Sequence, residues 1–214
     1  RESIRGGALG FSSTLSPSHN DTDGIPVPSR RASREEVLEL YGVIGEFEGT
    51  IAEMIPSLDF DQCTYDLLTD VSLAAQRPVN WNAIGVAGRG EEEQAASEVK
   101  LQATDYARAK GAEVIALAIP CSGTIRLNME GGMVFDAFNG WAPLFQLPVP
   151  ERIEKLRDPA SRTELRDLAS TGDGMLQRFA RWDNLKVAEV FSEENRRYEG
   201  RMIRDIAQEE ARDP

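Results

Sequence analysis

Four short apolar runs, separated by helical segments, constrain this chain most. Ala8 to Ser12, Thr50 to Pro56 ("TIAEMIP"), Pro78 to Val86 ("PVNWNAIGV") and Glu113 to Pro120 ("EVIALAIP") each read as a buried strand. The first intervening helix opens on a capping box, "SREE" (Ser33 to Glu36), in which the serine hydroxyl accepts a backbone N–H. Its apolar stripe is Val37, Leu40, Tyr41, Ile44 and Phe47, and Gly49 can end it. The second helix is capped by Asp59 or Asp61 and carries Leu67, Leu68, Val71 and Ala75. The third runs from Glu91 to Lys110, charged on its outside, and stops at Gly111. Apolar runs that alternate with helices at roughly 30 to 40 residues imply parallel strands joined by helical crossovers. Two architectures satisfy this α/β pattern: an open doubly wound sheet and a closed barrel.

After Pro120 the rhythm breaks. The stretch "NMEGGMVFDAFNGWAPLFQLP" is rich in Gly, Pro and aromatics and reads as an ordered, irregular loop. "PERIEKLRDPASRTELRDLAS" follows as two short helices split at Pro159. The alternation resumes with a strand over Leu185 to Phe191 ("LKVAEVF") and a helix from about Met202 to Ala211. The expected organisation is one incomplete domain: β/α units over 1–120, an insertion in a βα loop over 121–180, and a further unit over 181–214. Excursions of that length from a regular alternation are often functional. The chain opens on Arg1 and closes on "AQEEARDP", where a helix would hand over to another element, so both ends are expected to be cuts through a longer protein.

Composition narrows the function classes. The 214 residues include 41% apolar ones, enough for a packed core. A net charge of -12, from 36 acids against 24 bases, repels phosphate backbones and anionic lipid, so neither nucleic acid nor a membrane is an expected partner. Cys63 and Cys121 are far apart and form no CxxC, which fits a reducing, cytoplasmic setting. No apolar run approaches the ~20 residues of a membrane-spanning helix, and "RESIRGG" has no signal-peptide apolar region.

Parallel α/β units work at the carboxyl ends of their strands. The residues to inspect are therefore Ser12, Ser13 and the loop that holds His19, then Glu53, Asn80, Asn82, Cys121 and Glu189. Glu53 lies inside "IAEMI", between apolar neighbours. A carboxylate there needs an arginine, a metal or a proton, in a pocket or in a structural ion pair. Asn80 and Asn82 share one strand face, opposite Val79 and Trp81, and can form a hydrogen-bond network near the strand end, for a ligand or for the core. His19, the lone histidine, sits in a turn-rich loop ("SPSHNDTDG") that is either solvated or folded over a pocket alongside Ser13. Cys121 with His19 would make a nucleophile pair, against the plainer reading of an inert buried thiol. "GVAGRGEEE" follows a strand and precedes a helix, but its spacing is not GxGxxG and three glutamates occupy the phosphate position. One histidine cannot build a His-rich zinc centre, so most ligands of any such centre lie outside this chain.

"GALGFSSTL", "REEVLELYGVIGEFEGT", "LPVPERIEKLRDPASRTELRDL" and "VAEVFSEENRRYEGRMIRDIAQEEARDP" together resemble the middle of the D-aminoacylase (N-acyl-D-amino-acid deacylase) branch of the amidohydrolase superfamily. The resemblance runs over nearly the whole chain, and none of these segments is a catalytic motif. It implies a (β/α)8 barrel, of which this chain holds a part, and zinc-assisted hydrolysis of the amide of an N-acyl amino acid. It places a His-x-His pair and a Cys ligand before Arg1 and the aspartate base after Pro214. By strand order, Glu53 and Asn82 stand where the family has two mid-barrel histidines. On the resemblance Glu53 is expected to bind a metal or to hold a metal ligand, and Asn82 to contact the substrate or that ligand; the His19 loop, which matches no family ligand, is expected at the rim of the pocket, and Ser13 and Asn80 are further pocket candidates. The loss of both imidazoles also admits a catalytically silent barrel that binds a small molecule or a partner.

Overall fold

The structure, a computed structural model, describes residues 1–21, 23–57, 60–85, 91–119, 124–171 and 179–214. These form two compact units, Arg1–Asp21 with Ile25–Thr124, and chiefly Ile125–Pro214.

The first unit is a mixed α/β structure. After a one-turn helix α1 (Glu2–Arg5) come β1 (Gly10–Thr14), α2 (Arg34–Gly45), β2 (Ile51–Ile55), α3 (Gln62–Ala75), β3 (Val79–Ile84), α4 (Glu91–Ala109) and β4 (Val114–Ala118). The strands are all parallel and lie in the order β1-β2-β3-β4. The helices start where the sequence provides caps. Ser33 accepts from Glu36 N at the head of α2, and Asp61 accepts from Thr64 N at the head of α3. Asp59, the other candidate cap, lies outside the described residues.

Period-two patterning gives the sheet two unlike faces. Ala52, Met54, Val79, Trp81 and Val114 point to one face and are buried against Val37, Tyr41 and Ile44 of α2, Leu68, Val71 and Ala75 of α3, and Ala103 and Ala107 of α4. Phe11 joins them, edge-on to Tyr41 at 4.8 Å. All three crossover helices therefore pack on one face. Sequential strand order does this, because right-handed crossovers that never reverse direction leave every helix on the same side. A doubly wound sheet needs a reversal of order to clothe both faces, and these four strands contain none.

Two sequence expectations shift. The first strand is Gly10–Thr14 rather than Ala8 to Ser12, and Leu9 is 77% exposed. The register Gly10↔Ile51 fixes the start, since a Cβ on Gly10 would lie 1.9 Å from the Ile51 carbonyl oxygen. Leu40, placed on the apolar stripe of α2, is also largely exposed.

The second unit holds α5 (Ala142–Phe145), α6 (Val149–Arg157), α7 (Pro159–Ser170) and α8 (Ile203–Glu209). Its core is aromatic: Phe135, Phe138, Trp141 and Phe145, with Trp182 5.7 Å from the Trp141 ring. Arg152, buried at 6% exposure, donates to the carbonyls of Met129, Glu130, Phe145 and Leu147, and so ties the irregular stretch to α6. The strand expected over Leu185 to Phe191 is a single isolated bridge, Lys186↔Met202, outside the four-stranded sheet. A nearby return segment captures it: Val187 N donates to Arg201 O and Ile203 N to Leu185 O, both at 2.9 Å. A partner so close in sequence closes a short loop at less entropy than a sheet formed far away.

Candidate functional site

The sheet face turned away from α2, α3 and α4 carries the polar residues. Register places Ser12, Glu53 and Asn80 side by side on β1, β2 and β3, with Ile115 of β4 next in the row. Asn82 lies two residues further along β3, where the strand bulges before Ile84. From there Asn82 Nδ2 donates to Glu53 Oε1 across the strand pair. Both residues are half-buried, while Ile51 and Ile115 on the same face are exposed. Among the described residues, the side-chain partner of Glu53 is an amide and not an arginine.

Packing behind the sheet holds this pair in place. The main chain of Glu53 is gripped from the opposite face, where the Tyr41 hydroxyl of α2 donates to the Glu53 carbonyl at 2.5 Å. Burial pushes the Tyr41 hydroxyl well above its ordinary ionisation range. Its neighbours Ala52 and Met54 are fully buried, so the β2 backbone cannot move without disturbing the core.

Ser13 and His19 form a second group. They line a cavity of about 620 Å³ at the outer edge of β1, together with Phe11, Val37, Leu40 and Glu36. Hydrogen bonds tie the main chain around His19 to its neighbours. His19 N donates to Ser16 O at 3.1 Å, and Arg30 Nη1 donates to His19 O at 3.2 Å and to Asn20 Oδ1. Asp21 and Ile25 close a small hairpin, bridged at Asn20 and Pro26, with Gly24 at a positive φ of 73°.

The structure thus joins Glu53 to Asn82 with Asn80 beside them, and joins Ser13 to His19 in a separate cavity. Cys121 lies outside the described residues, as does most of "GVAGRG". Glu189 falls in the second unit and belongs to none of the four strands of the sheet. Sequence reading missed Glu36 as a cavity residue and Arg30 as the loop's anchor. The signal for Glu36 was present, because the capping box puts it in the first turn facing the incoming loop.

Among the described residues, no group of three or more His, Cys, Asp or Glu side chains could hold a metal ion. Zinc takes three or four N, S or O ligands from protein. Glu53 supplies one carboxylate, and the amide nitrogen of Asn82 is a donor and not a ligand. The residues described here therefore do not compose a zinc site by themselves. What they can do is bind polar groups: a carboxylate that accepts, and two amides that both donate and accept. Among the described residues, no helix is long and apolar enough to cross a membrane. Comparisons with protein-family models, with curated proteins and with solved structures gave no match.

Proposed function

We propose that this chain is one arc of a (β/α)8 barrel, and that the face bearing Glu53, Asn80 and Asn82 lines the pocket of an amide hydrolase similar to the N-acyl-D-amino-acid deacylases, working in a reducing compartment. The observation that carries this reading is the Glu53–Asn82 hydrogen bond between neighbouring strands, on the sheet face opposite α2, α3 and α4. Parallel sheets are almost always covered on both faces. A singly wound sheet whose face away from its own crossover helices mixes half-buried polar groups with exposed isoleucines is what the lining of an opened barrel would present. The segments that resemble the deacylases run through both units.

In this reading the roles follow from hydrogen-bonding capacity. Asn82 Nδ2 holds one oxygen of Glu53, which fixes the carboxylate plane. The remaining lone pairs of Glu53 accept a substrate N–H or a proton from water. Asn80, one register step away, offers an amide to the acyl oxygen or the carboxylate of an N-acyl amino acid. The test is hydrolysis of N-acetyl-D- and N-acetyl-L-amino acids by the protein at its natural length. Glu53→Gln is expected to lower turnover on the order of 100-fold or more, in the range for a positioned acid–base group. Turnover unchanged in Glu53→Gln would refute the assignment.

A second reading, a barrel that binds without catalysis, is favoured by one observation: the carboxylate on this face is partnered by an amide, where the resemblance calls for imidazoles. It predicts that N-acetyl amino acids bind, by calorimetry, with no product released by wild-type protein.

A further inference from the structure

The cavity that Ser13 and His19 share has no part in the reading of Glu53 and Asn82. Its walls come from β1, the loop that follows, the first two turns of α2, and Ile55 at the end of β2. Alternation puts Phe11 and Ser13 on the side of β1 that faces α2. Glu36, Val37 and Leu40 stand three and four residues apart, on one face of that helix. The loop is drawn over them, with Val27 N donating to His19 O at 3.4 Å and Arg30 holding the same carbonyl. Leu40, 44% exposed although it belongs to the apolar stripe of α2, is thus a wall of this cavity.

Most of the lining is apolar: Phe11, Val27, Pro28, Val37, Leu40 and Ile55. Polar side chains without a protein partner are set among these. The His19 imidazole, the Ser13 hydroxyl and the Glu36 carboxylate make no hydrogen bond or ion pair with any described residue. Thr14 differs, because its hydroxyl accepts from Ser16 N at 3.1 Å. Among the described residues, no lysine or arginine lines the cavity to offset Glu36. An apolar chamber with a few polar groups is the usual form of a small-molecule site. Each of the three unpartnered groups can accept a hydrogen bond, the imidazole through its unprotonated nitrogen. A primary ammonium has three N–H donors and no acceptor, so it complements them in both charge and number. An anion would be repelled by Glu36. The net charge of -12 also raises the local concentration of cations.

We propose that this cavity binds a primary ammonium ion on a small apolar body, an arylalkyl- or alkylamine. The ammonium donates to Glu36, His19 and Ser13, and the body packs against Phe11, Val37 and Leu40. The site lies wholly within the first unit and does not depend on the reading of Glu53 and Asn82. The cavity volume of about 620 Å³ is in the range that holds such a molecule.

The test is calorimetric titration of phenethylamine into the natural-length protein at pH 8, with phenethyl alcohol and hydrocinnamate as its neutral and anionic counterparts. The amine should bind at least about fivefold more tightly than either, the scale of one partly solvated ion pair. Glu36→Gln keeps the capping geometry, since glutamine serves at that position too, and should remove this advantage. Leu40→Lys should abolish binding of the amine. Leu40 is exposed enough to accept the change, and a lysine four residues after Glu36 supplies the ammonium from within. That second variant decides the matter if Glu36→Gln does not fold. Glu53→Gln should leave the affinity as it was, which separates this cavity from the Glu53 face. No binding of the amine, equal affinity for the three ligands, or undiminished binding in Glu36→Gln and Leu40→Lys would overturn the proposal. Loss of binding in Glu53→Gln would overturn it as well, by placing the amine on the other face of the sheet.

Discussion

Asn82 Nδ2 donates to Glu53 Oε1 across the β2–β3 pair, on the sheet face that no helix of the first unit covers. The two residues come from strands that approach in parallel, so their side chains share a face by register and meet diagonally. An amide donor suits a half-buried carboxylate, because it satisfies one oxygen without bringing in a second charge.

Removing that donor should be felt modestly. Asn82→Ala leaves Glu53 with one hydrogen bond fewer in a half-solvated position, which is worth about 1 kcal/mol. Urea unfolding of Asn82→Ala, Glu53→Gln and the double variant should show that the two changes do not add. Strict additivity would mean that the pair is not coupled.

Gly10 is expected to be intolerant. A methyl group there would sit 1.9 Å from the Ile51 carbonyl oxygen and 2.7 Å from its nitrogen, both backbone atoms. Gly10→Ala should force β1 away from β2 and destabilise the protein by about 3 kcal/mol or more, among the larger single-residue effects. Hydrogen exchange at Ile51 N, which donates to Leu9 O, should accelerate before that of β3. Unchanged protection at Ile51 would contradict the β1 register.

Tyr41 gives an alkaline prediction. Burial raises its ionisation above the ordinary value of 10.0, so the folded state favours the neutral phenol. The stability this represents is complete below pH 10 and is lost as the pH climbs towards the raised folded-state value. Tyr41→Phe should lose about 1 kcal/mol at neutral pH, through the missing bond to Glu53 O, and should show a flatter decline above pH 10. An alkaline limb of the same slope in the variant would argue against a buried, neutral Tyr41.

Asp66 gives the acid counterpart. The Tyr106 hydroxyl, then Lys110 and Gln62, hold its carboxyl down to about 2, from 3.8. A lowered carboxyl contributes stability that is present above pH 3.8 and lost as the pH falls towards 2. Asp66→Asn should flatten the acid unfolding limb within that window. A limb of unchanged steepness would show that this exposed cluster adds nothing measurable.

The sheet was legible in the sequence because each strand is a short apolar run bounded by a cap or a glycine. Ile51–Ile55 and Val79–Ile84 fall within one or two residues of expectation. The Val79/Trp81 against Asn80/Asn82 sidedness was readable for the same reason, since alternation alone decides it. The Glu53–Asn82 contact was not, because it depends on inter-strand register and a bulge that no local pattern encodes. The segment over Leu185 to Phe191 misled because an extended apolar run does not say which neighbour it will pair with. The hold of Arg152 on four carbonyls was hidden too: in sequence it is one more charge on an amphipathic helix.

The most direct measurement is the turnover of N-acetyl amino acids by the natural-length protein, wild type against Glu53→Gln and Asn82→Ala. A Glu53 that works on the substrate predicts loss on the order of 100-fold for Glu53→Gln, and a smaller loss for Asn82→Ala, which removes only the group that orients it. Full turnover in Glu53→Gln, or no hydrolysis and no binding of any N-acetyl amino acid by the wild type, would contradict the account.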